Sequence, residues 1–324
     1  MLPTSEILYA PAAGSLSASG SIFVATDGTR TSDGAIRVGR SLARRCGIPV
    51  DLVSVVEPMT LYTPDGIPLP DEGSRLADSA RDARENALLV QRDRTHPAIH
   101  DWPFAIVVGP RAETIVAEAR RRHAGLILLG LGAHGIGARL AARETALRVI
   151  HGSPIPVLAL PSDAWGVPHS ALVAVDFTSS SEHAAHAALD LLAGEGTLYL
   201  AHVSSRVPIP QGDPRPWAEI SQTGVLPRLD ALARRLAPPP GVRVEHVLLH
   251  GDPTGELLAF AEEHDVDLIA AGTHGRSPLG RFVMGSVSTA LVRSARCWVL
   301  VAPASAPAAR NDTPVTVHLP NAEA

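Results

Sequence analysis

The stretch Leu268-Ile269-Ala270-Ala271-Gly272-Thr273-His274-Gly275, followed nine residues later by Gly285-Ser286, decides the fold. Four apolar residues running into glycines read as a short buried β-strand that ends in a turn, and Gly285-Ser286 opens the next helical pattern. A strand, a glycine turn and a helix start together leave backbone N–H groups free to cradle an anion. An eroded twin lies one domain earlier. Leu126-Ile127-Leu128-Leu129 leads to Gly132-Ala133-His134-Gly135, but Arg143-Glu144 or Thr145-Ala146 stands where Gly-Ser would recur.

Other landmarks repeat in the same order. Ile22-Phe23-Val24-Ala25-Thr26-Asp27 is mirrored by Ala171-Leu172-Val173-Ala174-Val175-Asp176, each an apolar run ending in an Asp. Val107-Val108-Gly109-Pro110 matches Leu249-His250-Gly251-Asp252-Pro253, and Pro156 to Pro161 matches Trp298 to Pro303. Four landmarks in the same order mark a tandem duplication. The length of 324 residues suits two domains, 18–162 and 167–305, with 1–17 and 306–324 read as disordered.

Short β-like runs alternate with longer helical ones, the pattern of a parallel sheet covered on both faces. Strands are expected near 21–26, 49–56, 104–108, 125–130 and 156–160, and again near 170–175, 196–203, 242–249, 267–271 and 298–302. Helices are expected near 32–46, 73–93, 111–122 and 140–151, then near 180–193, 215–236, 254–264 and 285–294. The fold class is α/β, with two doubly wound, five-stranded, Rossmann-like domains. Such sheets bind ligands at the carboxyl ends of their strands.

Composition narrows the chemistry. A net charge of −5 gives no electrostatic reason to expect nucleic acid. All 28 basic residues are Arg, which excludes a Walker-type lysine loop and a Schiff-base lysine. Cys46 and Cys297 stand at non-equivalent places and form neither a disulfide framework nor a zinc site. The N-terminus lacks a signal-peptide pattern and no apolar run is long enough for a membrane span, so a cytoplasmic location is expected.

The residues point to a nucleotide. Gly272 and Gly275 let the backbone approach phosphates, and Gly285, Ser286, Val287 and Ser288 offer helix N–H groups and two hydroxyls. Asp176 is placed to accept hydrogen bonds from a ribose or adenine, or to hold a metal through water. Val203, beside His202, is placed to pack against a base. With Val175, Thr273 and His274 these make the main candidate site. A second, weaker one comprises Thr26, Asp27, Val55, Gly132, His134 and Gly135.

Plainer readings exist for each part. Glycines occur at β-to-α turns in any doubly wound domain, and Ser286, Asp27 and Asp176 are ordinary helix caps by type. Only the joint spacing of the second copy carries weight. His183 and His186 lack a third metal ligand, and His264-Asp265-Val266-Asp267 suits a helix-to-strand turn, so no metal cluster is expected. No Gly-x-Ser-x-Gly elbow surrounds Ser286, so no catalytic residue is assigned.

With these residues in place the chain resembles the universal stress protein family in tandem form, over nearly its whole length. The ATP-binding branch of that family carries Gly-x-x-Gly, nine residues, then Gly-Ser/Thr, matched by Gly272, Gly275, Gly285 and Ser286, and an Asp ending the first strand, matched by Asp176 and Asp27. The resemblance implies a flavodoxin-like sheet of order 3-2-1-4-5, with ATP, with or without Mg²⁺, across the strand ends. It also implies an intrachain pseudo-dimer through the last strands, 156–160 and 298–302, with a homodimer as a further option. The implied role is stress adaptation through nucleotide-dependent conformation or an unidentified protein partner. A slow ATP hydrolase or nucleotidyl transferase, and an interaction protein that binds no nucleotide, are the alternatives. Two departures stand out: the first repeat lacks Gly-Ser, and Phe177 follows Asp176 where the family has Gly.

Overall fold

A computed structural model describes residues 20–58, 65, 70–95, 102, 104–132, 136–192, 194–204, 217–273 and 285–304. The first half runs β1 (Ser21–Ala25), α1 (Asp33–Cys46), β2 (Val50–Val56), α2 (Pro70–Thr95), β3 (Phe104–Val108), α3 (Arg111–Arg121), β4 (Ala124–Gly130), α4 (Ile136–Gly152) and β5 (Val157–Leu160). The second repeats the plan: β6 (Ser170–Ala174), α5 (Ser179–Leu191), β7 (Gly196–Ser204), α6 (Trp217–Leu236), β8 (Val242–His250), α7 (Pro253–Glu263), β9 (Leu268–Gly272), α8 (Ser286–Ser294) and β10 (Trp298–Ala302).

All ten strands join one sheet in the order β3-β2-β1-β4-β5-β10-β9-β6-β7-β8. Each half therefore has the expected order 3-2-1-4-5. Neighbours within a half are parallel. The central strands are continuous runs of Ile, Leu and Val because helices cover both faces. All five residues of β1 and all five of β10 are buried. One apolar layer is filled by α1, α5 and α6, through side chains such as Ile36, Leu191 and Leu229. The other is filled by α3, α4, α7 and α8, through Ile115, Ile150, Leu257 and Leu291.

The halves meet where β5 and β10 pair antiparallel, with Leu158 opposite Leu300 and both fully buried. Two strands that would each be an exposed apolar edge satisfy one another's backbone instead. Both core layers cross this seam, so the two repeats share one interior.

The connection between halves is fixed to the first one. Arg37 donates through Nε to the Ala164 carbonyl at 3.1 Å and through a terminal nitrogen to the Ser162 carbonyl, and Ala164 is buried. Among the described residues no helix is long and apolar enough to cross a membrane.

Candidate functional site

In a sheet of order 3-2-1-4-5 the crevice opens at the carboxyl ends of the first and fourth strands, where the chain direction of the crossovers reverses. In the second half those strands are β6 and β9. Beyond β6, Val175 N donates to the Ala201 carbonyl at 2.7 Å, and Asp176 Oδ1 accepts from Thr178 N at 3.0 Å and Thr178 Oγ1 at 2.6 Å. Thr178 in turn caps α5 by accepting from Ser181 N. Asp176 thus shapes the turn it sits on.

Gly272 ends β9 against the first turn of α5. A Cβ there would lie 2.5 Å from Ser180 Oγ and 2.8 Å from the Ser180 carbonyl carbon. Helix-to-strand packing by itself requires a glycine here. Thr273 N continues the ladder by donating to the Ala302 carbonyl, and Gly285 N donates to the Thr273 carbonyl at 2.6 Å. That bond pins the start of α8 to the end of β9. Gly285 is the N-cap of α8 and has no side chain with which to cap it. The first-turn N–H groups of an α-helix have no partner within it. Ser286 is exposed, whereas the Ser288 hydroxyl is buried and donates to the Gly285 carbonyl at 3.0 Å. Of the two hydroxyls expected here, only that of Ser286 faces outward. His274 and Gly275 lie outside the described residues.

The strand registers revise the alignment of the repeats. Val24 pairs with Leu128 and its counterpart Val173 pairs with Ala270, so Gly130 corresponds to Gly272. By sequence, Gly132 takes that place, two residues late. The packing agrees: a Cβ on Gly130 would meet the Thr31 carbonyl and Ser32 Cα, the counterparts of the contacts at Gly272. From this origin no gap is needed, and Arg143-Glu144 stands in the place of Gly285-Ser286. Because α4 starts at Ile136, Arg143 lies well inside a helix. Its backbone N–H is committed to the helix ladder. Its Nε is buried without a hydrogen-bond partner among the described residues. The first half therefore lacks the open helix start on which the second is built.

It does hold a cleft of about 280 Å³ at its strand ends, lined among others by Thr26, Asp27, Thr31, Val55, Gly130 and Thr145. Thr26, Asp27 and Val55 of the weaker candidate site are brought together there. Gly132 stands beyond it with φ +73°, and His134 and Gly135 lie outside the described residues. Beneath the cleft is a buried polar network that sequence reading missed. Thr26 Oγ1 donates to Gln91 Oε1 at 2.7 Å, and Gln91 Nε2 donates to the Thr29 carbonyl and to Asp33 Oδ1, each at 2.9 Å. Arg94 closes it with two bonds to Asp33, and Arg84 donates to the Asp27 carbonyl at 2.6 Å. A glutamine near the end of a polar helix carries no pattern that marks it as fully buried. Val175 replaces Thr26 in the second half, and among the described residues the network has no counterpart there.

Phe177 has a physical account. It occupies the place of Gly28 and adopts the same left-handed turn, φ +63° against +77°. For a residue with a Cβ this costs about 1–2 kcal/mol. The ring is held 5.1 Å from that of His202, and the Arg228 guanidinium lies 3.8 Å above it. His202 Nδ1 is 2.7 Å from the Val175 carbonyl. An aromatic-cation stack therefore walls the second crevice where the first has the Gln91 network behind a glycine. Among the described residues no group of three or more His, Cys, Asp or Glu is placed to hold a metal. His183, considered above as half of a pair, sets Nδ1 2.8 Å from the Pro303 carbonyl.

Comparison with known proteins agrees with this architecture. The model of the universal stress protein family matches residues 19–161 and again 169–303. A universal stress protein of Mycobacterium tuberculosis is 27% identical over 293 residues, spanning 87% of this chain and 96% of that protein. One from Methanocaldococcus jannaschii is 33% identical over 125 residues, 38% of this chain and 72% of the relative. The solved structure of a universal stress protein from Archaeoglobus fulgidus covers 88% of this chain and 97% of its own, with a TM-score of 0.59 at 18% identity, which speaks for a shared fold. Two successive family matches on two halves of one sheet make this chain a member of the universal stress protein family that carries the domain twice.

Proposed function

We propose that the chain binds ATP, with or without Mg²⁺, in the crevice of its second half, and that occupancy of this crevice sets the conformation or partner binding through which it acts in stress adaptation. One observation carries the reading: α8 begins at a glycine, which has no side chain of its own to cap the helix, pinned beside the end of β9. Helix dipole and open N–H groups favour an anion at such a terminus by about 0.3–1 kcal/mol each in exposed settings. By contrast α5 and α7 are capped internally, by Thr178 and Asp252. In this reading the phosphates lie on Gly285, Ser286 and Val287 with Thr273, His274 and Gly275 beside them. Asp176 faces the ribose, and Val175 and Val203 flank the base. Arg143 in place of Gly285 argues that the first half, with Thr26, Asp27 and Val55, binds at least tenfold more weakly, a gap of about 1.4 kcal/mol. Residues 18–162 and 167–305 are taken as the two domains.

Mass spectrometry of small molecules released on denaturing the purified protein tests the reading, together with a thermal shift on adding ATP. Ligand at a hundred times its dissociation constant stabilises a fold by about 2.7 kcal/mol. Absence of adenine nucleotide and of any shift at millimolar ATP overturns it.

A further inference from the structure

At the pole of the second half opposite the nucleotide crevice lies a cleft of about 990 Å³, between the inter-repeat linker, the end of α7 and the starts of β9 and β10. Its floor is apolar, with Ala164, Val167, Leu258, Ile269 and Trp298. Trp165 stands on its rim, 78% exposed. The backbone around this tryptophan is not loose, because Arg37 holds the carbonyls on both sides of Asp163 and Ala164 is buried. A large aromatic presented to water on a fixed backbone is the kind of residue that anchors protein interfaces.

The charged side chains around the cleft are mostly acidic, Asp163, Glu262, Asp265 and Asp267 against the single Arg296. Asp163 and Asp265 line it without an ion-pair partner among the described residues, and Glu262 is met only by exposed Arg296 at 3.1 Å. Glu262 and Glu263 occupy the last turn of α7, where the helix dipole favours cations. The equivalent turn of α3 carries Arg120 and Arg121. Asp265 follows at φ +46°, a left-handed conformation that Asp and Asn tolerate better than other side chains. The acids sit against the local electrostatic preference, in one repeat only, around an apolar floor of binding-site size.

We propose that this cleft docks a cationic segment of a partner protein, one that places a bulky apolar side chain against Trp165 and the floor while its basic residues meet Asp163, Glu262 and Asp265. Charge complementarity selects the occupant, and the net charge of −5 on the whole chain favours its approach. The inference does not depend on nucleotide binding.

The test uses the full chain and three fluorescein-labelled nonapeptides, alternating Arg with Leu, Arg with Ser, and Glu with Leu, read by fluorescence anisotropy. The Arg-Leu peptide is expected to bind at least tenfold more tightly than either other. Trp165→Ala should weaken it at least tenfold. Asp163→Asn with Asp265→Asn should weaken it at least fivefold at 50 mM NaCl, with the difference gone at 500 mM. Glu113→Gln, an acid outside the cleft, should leave it unchanged. Equal binding of all three peptides, or Arg-Leu binding indifferent to Trp165→Ala, overturns the proposal. Concentration-dependent self-association in sedimentation that Trp165→Ala abolishes also overturns it, since a second copy then fills the cleft.

Discussion

Gly272→Ala separates packing from ligand contact at the end of β9. The added Cβ would lie 2.5 Å from Ser180 Oγ and 2.8 Å from both Ser180 Cβ and its carbonyl carbon. Carbon atoms settle near 3.5–4.0 Å, so α5 must retreat by roughly 0.7–1 Å from β9. The hydroxyl can rotate away, but the other two atoms belong to the helix itself. The helix α5 supplies Ala184, Ala188 and Leu191 to the core and also packs on β10. Moving it disturbs the seam. Overpacking of this kind costs about 1–3 kcal/mol, and we take about 2. For a cooperative unit of 150–250 residues that is a fall in Tm of about 4–8 °C. Calorimetry without nucleotide measures it directly. A Gly272→Ala protein that melts with the wild type in the absence of ATP refutes the packing argument and returns Gly272 to the ligand.

Leu158→Ala at the seam should cost about 2–5 kcal/mol in urea denaturation, since Leu158 is fully buried opposite Leu300; a cost below 1 kcal/mol contradicts a shared interior. Hydrogen bonds from Arg121 and then Arg122 hold the Glu118 carboxyl below its ordinary value. A depressed carboxylate stabilises the fold above its unfolded value near 4.3 and loses that contribution as pH falls through the folded one. Glu118→Gln should therefore cost roughly 1 kcal/mol at pH 7 and progressively less as pH falls below about 4.3, and a cost undiminished in acid speaks against the ion pairs. Burial pushes the Cys297 thiol from 9.0 up to about 11, so its thiolate fraction at pH 8 drops about a hundredfold. Brief iodoacetamide labelling should spare Cys297 in the native protein and modify it in urea; equal labelling in both contradicts the burial.

Much of the fold was legible because the signals were periodic and repeated. Apolar runs such as Leu126 to Leu129 and Leu268 to Ala271 mark buried strands, and their recurrence marks the duplication. The register between repeats was not legible, because Gly132-Ala133-His134-Gly135 imitates Gly272-Thr273-His274-Gly275 by composition. Only strand pairing and the contacts at Thr31 and Ser180 reveal that Gly130 is the true counterpart. The length of α4 was underestimated at its start, 140 against Ile136, for want of a capping residue there. Gln91 escaped notice because burial of a polar residue depends on partners far away in sequence, here Thr26 and Asp33. Phe177 stands out by residue type as a departure from the family, but its left-handed turn and its stack with His202 and Arg228 need three separate elements to meet.

Calorimetric titration of ATP into the full chain, beside Gly285→Asp and Thr145→Asp, tests the central claim. An aspartate at the N-cap supplies the missing cap to α8 and puts a negative charge where phosphate is proposed to lie. The account predicts one ATP per chain, lost in Gly285→Asp at unchanged or slightly raised Tm, and retained in Thr145→Asp. Two ATP molecules per chain, or binding that survives Gly285→Asp and disappears in Thr145→Asp, would contradict it.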